Sequence, residues 1–277
     1  MRVLIAADME GISGVVHWDH VKPGHFEYAR FRQIMTEEVN AAVDGALDGG
    51  ATSVVVTDGH RDGRNILIEK LRAPARLNSG SPAPLSMVEG VQSADRVFFI
   101  GYHARANTPD AILCHTWTDQ VRSVWLNDQE VGEIGLNAAV CGSFGACVAL
   151  ITGDRAAVQE ASDVLGPIES VVVKSANGRM SAECLPVEEN RAAIRHAAAH
   201  AMVRQVSPLI IGTPLRLRVE LTRPDQIDRA LCVPGSKRSG GVAIEWTGND
   251  MVSVYHAFRA IAGLAGSQAP SRDIGHT

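Results

Sequence analysis

The chain has 277 residues, 45% apolar and 21% charged, with a formal net charge of −5; this length can bury the core of one large domain, or of a large and a small one. No Lys/Arg run stands out and no apolar stretch is long enough to span a bilayer, so neither nucleic acid nor a membrane is an expected partner. Five scattered cysteines (Cys114, Cys141, Cys147, Cys184 and Cys232) form no C-x-x-C pair, which argues against a disulfide framework and a thiolate zinc site and fits a reducing, cytoplasmic setting.

The run VLIAA, residues 3 to 7, is apolar on both faces, the pattern of a parallel strand covered by helices. Residues 28 to 47 predict a helix, with Phe31, Ile34, Met35, Val39, Ala42, Val43 and Ala46 at helical spacing and Gly49-Gly50 as its stop. A second strand, SVVVT at 53 to 57, completes a βαβ unit, and RVFFIG at 96 to 101 supplies a third. Between 111 and 131, AILCHTW and VRSVWLNDQEV predict shorter strands, the latter turning through Asn127-Asp128 as a hairpin. Then follow a helix at 133 to 144, strand CVALI at 147 to 151, a helix at 155 to 164, strand ESVVV at 169 to 173 and an Ala-rich helix at 188 to 204. SPLIIGTP, 207 to 214, is the best domain boundary. Beyond it LRLRVEL, a short helix at 224 to 231, GVAIEW and a helix at 250 to 264 predict a compact α/β appendage, and SQAPSRDIGHT a frayed tail. The expected architecture is α/β: a mostly parallel sheet covered by helices over 1–206, with a smaller C-terminal α/β domain over 207–277.

Chemistry gathers at the strand ends. Asp8 and Glu10 follow the first strand, two apart, and would converge if the extended conformation persists. Asp58 and His60 follow the second in the same way, Tyr102 and His103 follow the third, and the next apolar segment delivers His115. Ligands of open parallel sheets bind outside the carboxyl ends of the strands, so these residues can share one crevice. Taken singly, each has a bland reading: a cap or turn former for the acidic pair, a loop histidine for His60 or His103, and a dipole-favoured carboxylate for Glu133 in the first turn of its helix. Jointly, three carboxylates and two imidazoles at one rim suit zinc or a similar divalent ion, and they exceed the needs of one open zinc, so a carboxylate bridging two metals is the economical arrangement. Other candidates carry less. His196 and His200 lack the Glu of H-E-x-x-H, and His17, His20 and His25 lie in a predicted loop. Gly11 and Gly14 suit a tight turn rather than a phosphate cradle, and neither Ser13 nor Cys114 sits in a nucleophile signature.

ADMEGISG, IMTEEVN (34 to 40), TDGH (57 to 60), SMVEG (86 to 90), GYHARANTP (101 to 109) and VGEIGLNA (131 to 138), six motifs in matching order, together resemble the zinc-dependent, self-compartmentalising D-aminopeptidase family of the bacterial dipeptide-transport operon. The resemblance spans most of residues 3 to 150 and continues more loosely to the C-terminus. It implies two zinc ions per subunit, bridged by Asp8, with Glu10 and His60 completing one site and His103 and Glu133 the other. It also implies His115 as the catalytic residue and a homodecameric ring enclosing a channel that admits short peptides. Around His115 the sequence AILCHTW departs from the family pattern, and the segment between His103 and His115 is one residue longer; both bear on substrate choice.

The expected activity is therefore hydrolysis of an amide next to a free amino group, in short D-amino-acid peptides or small amides. His115 would act as nucleophile, proton carrier or oxyanion stabiliser. One rival keeps the metals and cleaves a lactam, another non-peptide amide or an ester. A second is a non-catalytic ligand-binding ring protein. Asp58 is either a partner of the metal site or a turn residue.

Overall fold

A computed structural model of the chain describes residues 1–267, so the predicted frayed tail lies almost wholly outside the described residues. In chain order the elements are β1 (Arg2–Ala7), α1 (Tyr28–Asp48), β2 (Ser53–Asp58), β3 (Arg76–Asn78), β4 (Arg96–Tyr102), β5 (Val121–Leu126), β6 (Gln129–Val131), α2 (Glu133–Ser143), β7 (Cys147–Asp154), α3 (Arg155–Leu165), β8 (Glu169–Gly178), β9 (Ser181–Cys184), α4 (Val187–Ala201), β10 (Leu215–Leu221), α5 (Pro224–Ala230), β11 (Lys237–Arg238), β12 (Ala243–Gly248) and α6 (Met251–Gly266). Seven strands form the main sheet in the order β3-β2-β1-β4-β7-β8-β9. All its pairs are parallel except β8–β9. A second, antiparallel sheet runs β11-β12-β10-β5-β6.

The two-faced apolar run of β1 has a direct cause. Val3, Ile5 and Ala7 pack with α1 and α4, while Leu4 and Ala6 pack with α2 and the second sheet. A strand covered on both sides has no polar face to show. The Asn127-Asp128 hairpin forms as expected, pairing Leu126 with Gln129. Its sheet draws on both halves of the chain: β10 lies between β5 and β12.

β1 ends at Ala7, as the run at 3 to 7 predicts, and residues 9 to 14 then bend and turn rather than staying extended, with Ile12 N–H donating to the Met9 carbonyl at 3.2 Å. One local expectation fails, beside the site. AILCHTW is a loop rather than a strand, with Leu113 and Trp117 in left-handed conformation. Its backbone groups are met by distant partners instead of a ladder: Ile112 N–H donates to Asp154 Oδ2 at 2.6 Å, Leu113 N–H to the Arg179 carbonyl at 3.0 Å and Trp117 N–H to Glu133 Oε1 at 2.8 Å. Alternating apolar residues alone do not reveal such partners.

The glycines after Glu10 serve a turn, as expected. Gly11 N–H donates to the Gly101 carbonyl at 2.8 Å, and a Cβ at Gly11 would overlap the carbonyl of Tyr102 and the backbone of Gly101. Gly14 has φ +75°. Gly11→Ala is therefore expected to lower stability by about 3 kcal/mol, because the clash is with backbone that cannot rotate away. Urea denaturation checks this; an unchanged midpoint would show that the turn has room.

Candidate metal centre

β2, β1 and β4 are neighbours in the sheet, and their carboxyl ends deliver His60, the Asp8/Glu10 pair and His103 to one rim. Glu133 enters as the first residue of α2, and His115 from the 111–117 loop. All six residues named from the sequence meet there. Asp8 is 3% exposed, and Glu10, His60, His103 and Glu133 are comparably buried. One donor atom each from Asp8, Glu10 and His103 lie within 4.8 Å of one another, and so do one each from His103, His115 and Glu133. The second trio includes His115, which the sequence reading assigned to catalysis.

The imidazoles share one arrangement. His60 Nε2 lies 2.8 Å from the Val21 carbonyl, His103 Nδ1 2.9 Å from the Ala104 carbonyl and His115 Nδ1 2.9 Å from the Leu113 carbonyl. A carbonyl only accepts, so each of these nitrogens carries a proton and the opposite nitrogen is free to face the cluster. His60 Nδ1 lies 3.0 Å from Glu10 Oε2 and 3.4 Å from Asp8 Oδ1. His103 Nε2 lies 3.4 Å from Asp8 Oδ2 and 3.3 Å from Glu133 Oε1, and His115 Nε2 3.9 Å from Glu133 Oε1. A nitrogen this close to carboxylate oxygens needs a positive charge between them, a proton in the metal-free chain or a metal ion. Ring N–H anchored to a carbonyl with the other nitrogen turned inward is the usual setting of a metal-bound histidine, so the donor set fits divalent ions.

Electrostatics agree. Burial and the neighbouring Glu10 push the Asp8 carboxyl up to about 7. Burial also pushes Glu10 up, but His60 outweighs it by charge and hydrogen bond and holds Glu10 well below the usual carboxylate range. Burial pushes both His60 and His103 down, yet the carboxylates they face hold them well above the ordinary imidazole value. His115 is lowered by burial and by the charge of His103, on which it stacks at 4.0 Å. Three buried carboxylates thus draw positive charge inward, and divalent cations satisfy that demand in place of protons.

Asp58 turns out to be a loop fastener. Its carboxylate accepts from Asn65 N–H at 2.5 Å, Asn65 Nδ2 at 2.8 Å and Ile66 N–H at 2.8 Å, and Asn65 Nδ2 also donates to the His60 carbonyl at 2.7 Å. His60 is oriented through that loop. Cys114 and Ser13 are buried, and Ser13 Oγ accepts from Asn190 Nδ2 at 2.8 Å, which fits neither with a nucleophile. His196 and His200 are exposed, and His17, His20 and His25 join no metal-type group among the described residues. A cavity of about 1000 Å³ opens over the cluster, with Trp18, Lys22, Arg61, Trp117 and Arg259 among its walls.

Two buried charges beneath the centre were missed by sequence reasoning: Lys174 on β8 and Glu38 on α1. Each left a trace, a lysine closing the apolar run VVVK and a glutamate on the apolar stripe of α1, one turn past Ile34. Glu38 Oε1 accepts from Ser13 N–H at 3.1 Å, while its Oε2 is buried without a partner. Burial pushes Glu38 from 4.5 up to about 7, against the hydrogen bond from Ser13. Between those values the folded chain holds a proton that the unfolded chain releases, so its contribution is full below the unfolded pKa and is lost as pH rises through about 7. Glu38→Gln is expected to gain on the wild type by roughly 3 kcal/mol between pH 4 and 8. Urea denaturation of metal-free protein at several pH values checks this; parallel curves would place the proton elsewhere.

A buried carboxylate–imidazole cluster at the carboxyl rim of a parallel sheet has the donors and the position of a metal-dependent enzyme's centre, and similarity to known proteins makes that class a hydrolase. The chain belongs to the peptidase M55 family, described as D-aminopeptidase, whose model matches residues 1–260. It is 35% identical over 269 residues to a D-aminopeptidase of Bacillus subtilis (strain 168), covering 96% of this chain and 98% of that one. Among solved structures it resembles the Zn-dependent D-aminopeptidase DppA from Bacillus subtilis, a self-compartmentalizing protease. The TM-score is 0.94 at 34% identity, over 97% of this chain and 99% of the other. The chain is thus an enzyme of this hydrolase family, with the α/β fold expected from the sequence. No described helix is long and apolar enough to cross a membrane.

Proposed function

We propose that this protein is a zinc-dependent D-aminopeptidase that removes the first residue of short D-amino-acid peptides or amides. Two zinc ions would be held by Asp8 between them, Glu10 and His60 on one side, and His103 and Glu133 on the other. One observation carries this: the two oxygens of Asp8 face opposite imidazoles, Oδ1 towards His60 and Oδ2 towards His103. Bound there, divalent ions would supply Lewis acidity at the scissile carbonyl and lower the pKa of a water towards about 7.

The rest falls to the chain itself. His115 presents Nε2 to the cluster, its tautomer set by the Leu113 carbonyl, so that nitrogen is placed to take a proton from the attacking water and return it to the leaving amine. Trp18 meets the His115 ring edge-on at 5.3 Å and limits its motion. Asp154 and Arg179 hold the loop that carries His115. All six residues lie within 1–206, to which we assign the reacting groups; 207–277 is the smaller part, which completes the sheet of β5 and β6 and lends Arg259 to the cavity wall. A homodecameric ring in the cytoplasm, taking only short substrates, completes the proposal; the self-compartmentalizing relative supports assembly.

Elemental analysis of purified protein, beside turnover of D-alanyl and L-alanyl amides, a lactam and an ester, tests this reading. Two zinc ions per chain and preference for the D-alanyl amide are expected. Preference for the lactam or ester would change the substrate class, and full activity without metal would overturn the mechanism.

A further inference from the structure

The segment that carries Glu10 has no regular structure of its own; it leaves β1 at Ala7 and turns across the end of β4. It is held from below by a side chain distant in sequence. Lys174, on β8, is 1% exposed, and its Nζ donates to the carbonyls of Glu10 at 2.6 Å, Ile12 at 2.8 Å and Val15 at 2.6 Å. An ammonium has three donors, and each has one acceptor here. Two further buried groups engage the same turn at Ser13: Glu38 accepts from its N–H, and Asn190 donates to its hydroxyl.

Burying an ammonium is costly, and an apolar side chain would fill the same space without that cost. The charge does what an apolar chain cannot, satisfying three converging carbonyls from one point. Glu10 is thereby held at its carbonyl by Lys174, while its carboxylate faces His60 Nδ1 at 3.0 Å, the pair that would share an ion. Among the described residues no buried ammonium grips the other half of the centre in this way; there Glu133 is set by α2 and by Trp117 N–H.

We propose that Lys174 is a positioning residue for the Glu10–His60 half of the metal centre, fixing the Glu10 backbone by three charge-assisted hydrogen bonds so that its carboxylate meets the ion. This rests on the two-ion reading given above. Loss of a group that orients a ligand weakens metal affinity by about 10- to 100-fold, and the effect should fall on one ion only.

The test measures zinc per chain at buffered free zinc for the wild type, Lys174→Met and Lys174→Gln, with far-UV circular dichroism as the check on folding. Gln keeps two donors if Met proves too disruptive. The wild type should load two ions at a free zinc concentration where the variants load one. Their second ion should require about 10- to 100-fold more zinc, and the ion they retain should vanish on adding His103→Ala. Loading of both ions as in the wild type, parallel weakening of both, or failure of both variants to fold would overturn the proposal. A wild-type chain that binds no zinc overturns the two-ion reading itself, and this proposal with it.

Discussion

His115→Ala is expected to lower kcat by about 10²- to 10⁴-fold, the usual worth of a positioned general acid–base, while KM and zinc content stay close to those of the wild type. The reason lies in how the site is divided. His115 touches the cluster through one nitrogen only, 3.9 Å from Glu133 Oε1, whereas His103 lies between Asp8 and Glu133 at 3.4 and 3.3 Å. His103 also has its own anchor at the Ala104 carbonyl, so it keeps its orientation when the stacked His115 ring is removed. Because His115 can also be grouped with His103 and Glu133 as a possible ligand, zinc content is the deciding measurement. Loss of one ion in His115→Ala would make it a ligand and leave the proton-moving role to be reassigned.

Asp8→Asn is expected to do the opposite, emptying both halves of the centre. Its two oxygens face different imidazoles, Oδ1 that of His60 and Oδ2 that of His103, so on the two-ion reading one side chain serves both halves. The amide keeps the shape but loses the charge, and one of its two ends becomes a donor facing an imidazole nitrogen. Without the ions, several kcal/mol of transition-state stabilisation are lost, so kcat/KM should fall by at least about a thousandfold. Stability of the metal-free protein should not fall, because burial and the neighbouring Glu10 disfavour the Asp8 anion and push the Asp8 carboxyl up to about 7. Elemental analysis and melting of the chelated protein check both halves of this expectation. An Asp8→Asn protein that retains two ions would remove the bridge from the mechanism.

The centre was legible in the chain because its parts are local. Asp8, Glu10, His60 and His103 each follow an apolar strand by one to three residues, and the carboxyl ends of neighbouring parallel strands lie at one rim by construction. Asp8, Glu10, His60 and His103 could be read this way, and Glu133 from the start of its helix. The same logic foresaw the β1 faces, the Asn127-Asp128 hairpin and the turn glycine Gly11. Where a local pattern had to meet distant backbone it did not hold: AILCHTW did not form a strand, and Asp8 and Glu10 meet through a turn rather than through continued extension.

By itself, the sequence determined most of the strands and helices, the set of candidate ligands and the rim on which they lie, because hydrophobic period and strand-end chemistry act over a few residues. Tertiary structure alone decided which imidazole nitrogen faces inward, how the His115 loop meets its backbone needs, and that Lys174 and Glu38 lie beneath the Glu10 turn. Those outcomes depend on carbonyls and carboxylates brought close from as far as 164 residues away in the chain, and a buried polar group takes whichever partner the fold delivers.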